Sequence, residues 1–278
     1  MKQIVLILIN IFYLNSISDA QVIEGTIRDK DNKSPLPYAN IGILGKERGT
    51  VSDESGHFKL KMSDSSKGDS VKVSYIGYES IVIYDFATDT VGIRIIELEP
   101  INVQLQEVKI YPKKYKEVII GNTVKWNKII FSFLSAQLGS EIGTYIKLRK
   151  RAMIEELRFN IVKNQYDSLV FRVNIYNFSN DLPQNNILKE QIIIRPENKV
   201  GLVVVDLSKY NIWLENDFVV SLEYLKVLGS VEKKVFISTG IMNSSSFGRL
   251  GSQGEWHRFK YKGFDLGIGL HVKMKKEI

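Results

Sequence analysis

The chain has 278 residues, no cysteine and a formal net charge of +7 at pH 7. The lack of cysteine excludes a disulfide framework, a thiol nucleophile, a cysteine-based zinc site and a lipid-attachment cysteine after a leader. The charge is uneven, because residues 21–110 hold 11 Lys and Arg against 14 Asp and Glu, whereas residues 111–278 hold 26 against 16. The basic second half favours an acidic partner such as an anionic polysaccharide or lipid head groups. The alternative is that its lysines only keep the surface soluble.

The first 20 residues are typical of a secretory signal peptide. Lys2 precedes an apolar run over residues 4–14, and small residues follow before Gln21. This run is too short to cross a bilayer of about 30 Å, and the mature chain is expected to contain no transmembrane segment. We therefore expect an exported protein, in the periplasm, at the outer-membrane surface or outside the cell. Export and the lack of a nucleic-acid motif argue against a nucleic-acid partner.

Residues 49–79 predict turns and strands. Residues 52–56 read Ser-Asp-Glu-Ser-Gly, which are turn formers, and Gly68-Asp69 marks a second turn. Apolar residues alternate with polar ones over residues 57–62 and again over residues 71–75, the period of a strand with one buried face. Two hairpin arms this close together indicate an all-β sandwich.

The same residues carry a family resemblance. Five blocks stand in order along residues 22–108: VIEGTI, PLPYANI, GTVSDESGHF, VSYIGY and LQEV. With them residues 21–110 resemble the carboxypeptidase-regulatory-like domain, a small transthyretin-like (prealbumin-like) β-sandwich found in secreted and outer-membrane proteins of Bacteroidota-type bacteria. The resemblance implies a non-catalytic docking or spacer domain. It also implies outer-membrane transport or surface complexes as partners.

The second half predicts a further all-β domain. Pro112 and the lysines around it predict a linker over residues 111–118, so that residues 119–278 form the second domain. Strand-like runs cover residues 157–161, 169–176, 192–194, 200–205, 218–225, 235–241, 256–261 and 268–274. The fold class is thus all-β, with two β-sandwich domains, the second one jelly-roll-like. One segment, residues 124–137, mixes helical spacing with strand features and is left undecided.

The strand runs of the second half also resemble, loosely, galactose-binding-type or carbohydrate-binding jelly rolls. The runs that carry this likeness are residues 143–148, 171–176, 205–208 and 218–223. The resemblance implies glycan binding. A sandwich architecture hosts many unrelated functions, however, so the site has to be argued from particular residues.

No residue pattern predicts catalysis, a metal site or a cofactor. The three histidines, His57, His257 and His271, have no second metal ligand two or four positions away, and no G-x-S-x-G elbow occurs. The turn at residues 53–56 has too few oxygens for calcium. A glycan-active hydrolase or its accessory subunit stays open as an alternative. The candidates for its paired carboxylates lie on or near strands and are Glu155, Glu156, Asp217 and Glu223.

Two patches are candidate ligand sites, because sugar rings stack on aromatic faces beside polar side chains. The first is Trp256 with Arg249 and Arg258, held by a loop rich in serine and glycine. The second is the outward face of two strands expected to pair as a hairpin, which would group Arg158, Asn160, Arg172, Asn174 and Tyr176. The competing interpretations are a tryptophan in the core and an ordinary solvated sheet face.

The sequence therefore favours an exported non-catalytic binding protein of the cell envelope. Its front domain would dock or act as a spacer, and its basic second domain would bind a glycan or an envelope protein. The alternatives are the glycan-active hydrolase and a purely structural envelope protein that makes protein contacts only.

Overall fold

The computed structural model describes residues 21–62, 68–86, 94–101, 114–123, 130–132, 138–197, 200–228, 234–241 and 244–278. Within these ranges the chain is almost entirely β-strand, and the single helical turn is the 3-10 helix Ser208–Tyr210. The predicted all-β class is confirmed. The predicted signal peptide and the LQEV block lie outside the described residues. No helix of the described part is both long and apolar enough for a membrane crossing.

Residues 21–101 form a first unit, named here the front module. Its strands are β1 (Gln21–Asp29), β2 (Asn40–Ile43), β3 (Gly49–Val51), β4 (His57–Met62), β5 (Val71–Ser74), β6 (Ile81–Ile83) and β7 (Arg94–Leu98). They make two small sheets, with strand orders β4-β1-β7 and β3-β2-β5-β6. A core that includes Ile27, Ile41, Phe58 and Phe86 is buried in this module.

The alternating pattern of β4 and β5 predicts their strands correctly but not their partners. Every second residue of β4 is buried, as the sequence predicts. However, β4 pairs with β1 and β5 pairs with β2, so these two strands belong to different sheets and form no hairpin with each other. The predicted turn at residues 53–56 is present, because the Asp53 carboxylate accepts hydrogen bonds from the backbone amides of Ser55 (2.8 Å) and His57 (2.9 Å).

A buried carboxylate at the end of β1 gives the front module a pH-dependent contribution to stability. Asp29 accepts hydrogen bonds from the Tyr78 hydroxyl (2.7 Å) and from the backbone amides of Asn32 (3.0 Å) and Asp31 (2.7 Å). These donors, the Tyr78 hydroxyl above all, hold the pKa of Asp29 below its usual value. The stabilisation is therefore present above about pH 3.9 and is lost as the pH falls through the folded-state pKa.

Asp29→Asn is accordingly expected to lower the midpoint of urea unfolding at pH 7. The difference between the midpoints of the variant and the wild type is expected to narrow as the pH falls below about 4. Urea titrations at a series of pH values between about 2.5 and 7 measure this gap. The exposed neighbour Asp31→Asn serves as the control and is expected to leave the midpoint nearly unchanged. A gap for Asp29→Asn that stays constant with pH would contradict the proposed role.

Residues 114–278 form a second unit, named here the second sandwich. Its strands are β8 (Tyr115–Gly121), β9 (Ile130–Ser132), β10 (Glu141–Ile146), β11 (Ala152–Asn164), β12 (Ser168–Ser179), β13 (Leu182–Asn186), β14 (Ile192–Ile194), β15 (Gly201–Asp206), β16 (Trp213–Leu214), β17 (Phe218–Leu228), β18 (Val235–Ile241), β19 (Ser246–Arg249), β20 (His257–Arg258), β21 (Lys260–Tyr261), β22 (Phe264–Ile268) and β23 (Leu270–Glu277). All eight predicted strand runs are found in this list, some of them with shifted ends or split in two. Strand β8 also takes in residues 115–118 of the predicted linker, because it pairs with β23.

The second sandwich consists of two sheets. The β12 sheet has the order β13-β12-β17-β10-β19-β20, with β14 beside β12. The β11 sheet has the order β21-β22-β18-β11-β23-β8, with β15 and β16 beside β11 and β9 beside β18. Their inner faces share one core, in which the ring centroids of Phe159 and Phe171 lie 6.3 Å apart. Of the undecided segment 124–137, residues 130–132 are strand and the rest lies outside the described residues.

The expected hairpin of β11 and β12 is wrong. The connection at residues 165–167 carries the chain from one sheet to the other, so β12 pairs with β17 while β11 pairs with β23, β18 and β15. Both strands carry alternating apolar residues, and each can bury them only by facing the other across the core. The polar residues of the two strands therefore lie on opposite outer faces of the sandwich.

Candidate functional site

Four charged side chains form one row across the outer face of the β12 sheet. Arg172 on β12 lies opposite Glu223 on β17, Glu223 lies opposite Glu141 on β10, and Glu141 lies opposite Arg249 on β19. Directly opposite residues of antiparallel strands share a face, so the register alone aligns the four charges. This set, with two glutamates between two arginines, is named here the ion row.

Charge-assisted hydrogen bonds close the ion row. Arg172 donates from Nε (2.9 Å) and Nη2 (2.7 Å) to one oxygen of Glu223. Arg249 donates in the same way to Glu141, at 2.9 and 2.6 Å. Between the two carboxylates, Nδ2 of Asn174 donates to Glu141 (2.8 Å) and to Glu223 (2.9 Å), which bridges two groups that would otherwise repel each other.

The front module covers one end of the ion row. Arg172 donates from Nη1 to the backbone carbonyl of Tyr38 (2.7 Å) and from Nη2 to the side-chain oxygen of Asn40. Beside it, Gln191 accepts from Arg172 (2.9 Å) and donates to the carbonyl of Pro37 (3.2 Å). A single buried arginine thus binds a carboxylate of its own sheet and two oxygens of the other module.

Close backbone contacts join the modules at the other end of the row. Gly42 and Gly49 pack on the backbone of Ser252, and a Cβ built on Gly42 would lie 2.0 Å from the Ser252 carbonyl oxygen. Gln253 also donates to the Ser74 hydroxyl at 2.8 Å. A small apolar cluster of Tyr38, Val51, Val170 and Leu225 also contains residues of both modules. The two modules are therefore docked by ionic, apolar and backbone contacts together.

Trp256 packs on the Arg249 end of the ion row. Its ring lies 5.3 Å from that of Tyr176, edge to face, and 4.9 Å from the Arg249 guanidinium. The Tyr176 hydroxyl donates to Glu141 and accepts from Arg249, both at 3.1 Å. Burial raises the pKa of Tyr176 well above its ordinary value, so this hydroxyl keeps its proton.

The ion row lacks the properties of a hydrolytic site. Its two carboxylates converge, as a glycosidase requires, but Glu141 is 1% and Glu223 0% exposed, which leaves no room for a substrate between them. Both are also engaged by arginine and by Asn174. Among the described residues no three His, Asp or Glu side chains gather as they would around a metal ion. The arrangement is suited to holding two modules in one orientation.

A separate open cavity, named here the basic groove, lies on the second sandwich. Its volume is about 700 Å³, and it is lined by Ile120, Gly121, Tyr145, Lys147, Ser244, Ser245, Arg258, Lys260, Gly263, Phe264 and Asp265. Lys147 and Lys260 are exposed, and so is the ring of Phe264, with 52% of its surface accessible. Arg258 donates to Asp265 (3.0 Å) and to the Ser245 hydroxyl (2.8 Å), which fixes its guanidinium at the wall.

Tyr145 lines the basic groove and lies on β10, the strand that also carries Glu141 of the ion row. Its hydroxyl donates to Asp217, and the second oxygen of Asp217 accepts from the backbone amide of Leu148 at 2.7 Å. Burial, followed by the hydrogen bond to Asp217, raises the pKa of Tyr145 to about 12. The tyrosine therefore stays neutral at physiological pH, and its fixed ring forms part of the groove wall.

The structure brings together five of the eight predicted ligand residues. Arg172, Asn174, Tyr176, Arg249 and Trp256 meet at the ion row, but the first four are at most 9% exposed instead of solvated. Arg172, Asn174 and Tyr176 were expected on an open sheet face, and Arg249 beside Trp256 at a loop. The front module together with the loop at residues 250–256 covers that face.

The other three predicted residues lie elsewhere. Arg258 lines the basic groove, because β20 pairs with β19 so that Arg258 lies opposite Phe247 and not beside Arg249. Arg158 and Asn160 occupy the outer face of the β11 sheet, where Arg158 donates to Glu156 (2.6 Å) and Asn160 to the Ser238 hydroxyl (2.8 Å). Arg158 and Asn160 are separated from Arg172, Asn174 and Tyr176 because β11 and β12 belong to different sheets.

Sequence reasoning missed Glu141 in the ion row and Lys147, Lys260 and Phe264 in the basic groove. A signal for Glu141 exists, because it alternates with Gly143 and Tyr145 along β10 and so shares their face. No comparable signal marks the groove. Its residues come from two stretches of the chain, residues 120–147 and 244–265, which are separated by about 100 positions in sequence.

Comparison with known proteins identifies the family of the front module. Residues 23–110 match the family model of the CarboxypepD_reg-like domain. The front module is a carboxypeptidase-regulatory-like domain. The resemblance expected from its sequence blocks is confirmed, and the carboxypeptidase-regulatory-like family is non-catalytic despite its name. The PLPYAN block of this domain supplies the oxygens of Tyr38 and Asn40 that bind Arg172.

Beyond the carboxypeptidase-regulatory-like domain the comparisons are distant. No curated protein matches this chain. One similar solved structure holds the cysteine protease and lectin-like domains of Cwp84, a surface layer associated protein of Clostridium difficile, with 9% identity, a TM-score of 0.40 and coverage of 93% of this chain and 59% of that chain. Another is infectious bursal disease virus Gx strain, with 11% identity, a TM-score of 0.25 and coverage of 93% and 65%. The chain spans about three fifths of the length of these structures, and neither similarity bears on function.

Proposed function

We propose that this protein is an exported, non-catalytic binding protein of the cell envelope that holds an anionic glycan in the basic groove. The carboxypeptidase-regulatory-like domain serves as the docking or spacer module and is fixed on the second sandwich through the ion row. The signal-peptide pattern of residues 1–20 supports export. The excess of 26 basic over 16 acidic residues in the second half supports an anionic ligand.

The basic groove is the observation that carries this proposal. Its volume of about 700 Å³ lies within the range of known ligand sites, roughly 300–1,000 Å³. Three cationic side chains, Lys147, Arg258 and Lys260, line it together with the exposed ring of Phe264. A sugar ring can stack on such an aromatic face while its carboxylate or sulfate groups meet the cations.

The same groove argues against the hydrolase alternative. Of the described residues that line it, Asp265 is the one carboxylate, and Arg258 and Ser245 already donate to it. A glycosidase needs a second carboxyl group across the substrate, about 5–10 Å away. Binding without cleavage is therefore the function that the groove supports best.

A glycan array with quantitative titration of the hits tests the proposal on the mature chain that begins at Gln21. The double variant Lys147→Ala/Lys260→Ala is expected to weaken binding to uronic-acid or sulfated glycans at least tenfold. The matched control Lys163→Ala/Lys209→Ala removes the same charge from exposed lysines outside the groove lining and is expected to bind like the wild type. If both double variants lost the same amount of glycan affinity, general charge attraction would explain the loss, and this result would contradict a ligand site in the groove.

Trp256→Ala distinguishes the two candidate patches in the same array. Trp256 lies on Tyr176 and Arg249 and is not part of the groove lining, so this variant is expected to keep its binding. A loss confined to Trp256→Ala would move the ligand site to the end of the ion row. If the wild type bound no glycan at low or near-physiological salt, glycan binding would be refuted. The alternative of a structural envelope protein that makes protein contacts only would then remain.

A further inference from the structure

The basic groove lies between the two sheets of the second sandwich. One wall is formed by β10 and the residue that follows it, with Tyr145 and Lys147, and β10 belongs to the β12 sheet. The other wall is the hairpin of β21 and β22, with Lys260, Phe264 and Asp265, and this hairpin belongs to the β11 sheet. A ligand in the groove therefore contacts side chains of both sheets at once.

Arg258 and Asp265 together add no net charge to the groove. Arg258 donates from Nε (3.0 Å) to one oxygen of Asp265 and from Nη2 to the other, and the Ser245 hydroxyl also donates to Asp265 at 2.9 Å. The hydrogen bond from Arg258 holds the pKa of Asp265 below its ordinary value, so this carboxylate is charged at neutral pH. The positive charge of Arg258 is thus balanced within the groove.

Two positive charges remain, one on each wall. Lys147 and Lys260 are exposed, and within the described part of the chain neither lysine forms a salt bridge. Lys260 lies opposite Asp265 in the hairpin and helps to lower its pKa, but both oxygens of that carboxylate already accept from Arg258. Tyr145 is neutral, because its pKa is raised to about 12. The two ammonium groups can therefore each bind an anionic group of a ligand.

We infer that the ligand of the basic groove is a glycan chain with an acidic group on each of two neighbouring residues, such as a polyuronate or a chain sulfated at every residue. One acidic group binds Lys147 and the other binds Lys260, while a sugar ring stacks on the exposed ring of Phe264. The groove volume of about 700 Å³ is more than twice the lower limit of known ligand sites, roughly 300 Å³, and leaves room for more than one sugar residue. The inference rests on the proposed function, because both concern the same groove.

Two lysines on separate walls favour a ligand with two acidic groups over a ligand with one. Once the first acidic group is bound, the second is held near its lysine at a high effective concentration, so the two contacts reinforce each other. A glycan with a single terminal acid can bind only one lysine and leaves the other without a partner. General attraction by the basic second half differs from this effect, because it depends on total charge and is screened by salt.

Isothermal titration calorimetry of the mature chain at near-physiological salt tests the inference. The probes are matched pairs of uronic-acid and of sulfated trisaccharides, one member with acidic groups on two neighbouring residues and the other with a single acidic group at its end. The wild type is expected to bind the two-acid member of a pair at least about tenfold more tightly. Lys147→Ala and Lys260→Ala, made separately, are each expected to lower this affinity to about that of the one-acid member. Each variant should weaken binding of the one-acid member by no more than about twofold, because the other lysine remains.

Lys163→Ala is the matched control, because Lys163 is an exposed lysine outside the groove lining, and this variant is expected to bind both members of a pair like the wild type. Equal affinity of the wild type for the two members would overturn the inference and leave the binding of anionic glycans in place. A loss in only one of the two groove variants, or an equal loss in Lys163→Ala, would also overturn it. If the wild type bound neither member of either pair and no acidic glycan on the array, the proposed function would fail together with the inference.

Discussion

Replacing Arg172 by alanine is expected to lower the free energy of unfolding by about 3–5 kcal/mol, the cost of leaving the partner of a buried ion pair alone. Arg172 is 1% exposed and Glu223 0%. The substitution leaves the Glu223 carboxylate with Asn174 as its one remaining donor among the hydrogen bonds described above, and it removes the donor to the Tyr38 carbonyl. Urea unfolding followed by far-UV circular dichroism and by tryptophan fluorescence measures the loss.

Arg158→Ala provides the control for that measurement. Arg158 also binds a glutamate, Glu156, but its side chain is 26% exposed, so water replaces the lost contact. The expected cost is about 1 kcal/mol or less. The double variant Arg172→Met/Glu223→Leu is expected to recover much of the loss, because it removes the orphaned carboxylate as well. A cost for Arg172→Ala no greater than that of Arg158→Ala would disprove its role as the anchor between the modules.

Gly42→Ala should separate the modules locally and destabilise the protein by about 1–3 kcal/mol, as overpacking a closed contact does. The added Cβ would lie 2.0 Å from the Ser252 carbonyl oxygen and 2.6 Å from Cβ of Gln253. Because the nearest atom belongs to the backbone, no side-chain rotation relieves the clash. Hydrogen exchange is expected to become faster at residues 251–254, which belong to the other module.

Gly45→Ala is the matched control for this second prediction. Gly45 has a φ of +70°, and a Cβ there would meet nothing within 4 Å. The substitution should cost about 1–2 kcal/mol through backbone strain, with faster exchange only near residue 45. Equal exchange at residues 251–254 in both variants would show that Gly42 does not hold the module contact.

The strands of this protein could be predicted from its sequence, but the pairing of the strands could not. Alternation over β4, β11 and β12 is a local signal and indicates which residues share a face. Pairing depends on residues far away in the chain. The assignment of β11 and β12 to one hairpin failed because their apolar faces pack against each other across the core.

The candidate site shows the same division. Arg172, Asn174 and Tyr176 were correctly assigned to one polar face, because their spacing of two residues requires it. The prediction that they are exposed to solvent was wrong. The atoms that cover Arg172 come from Tyr38 and Asn40, which lie more than 130 positions away in the sequence. A sheet face that looks solvated in one segment can be a docking surface for another.

The docked contacts also define how a mechanical load would travel through the molecule. A pull on the front module reaches the second sandwich through Arg172 and through the backbone contact of Gly42 with Ser252. A force that pulls the two modules apart therefore has to break the ionic contact of Arg172 as well as the backbone contact of Gly42.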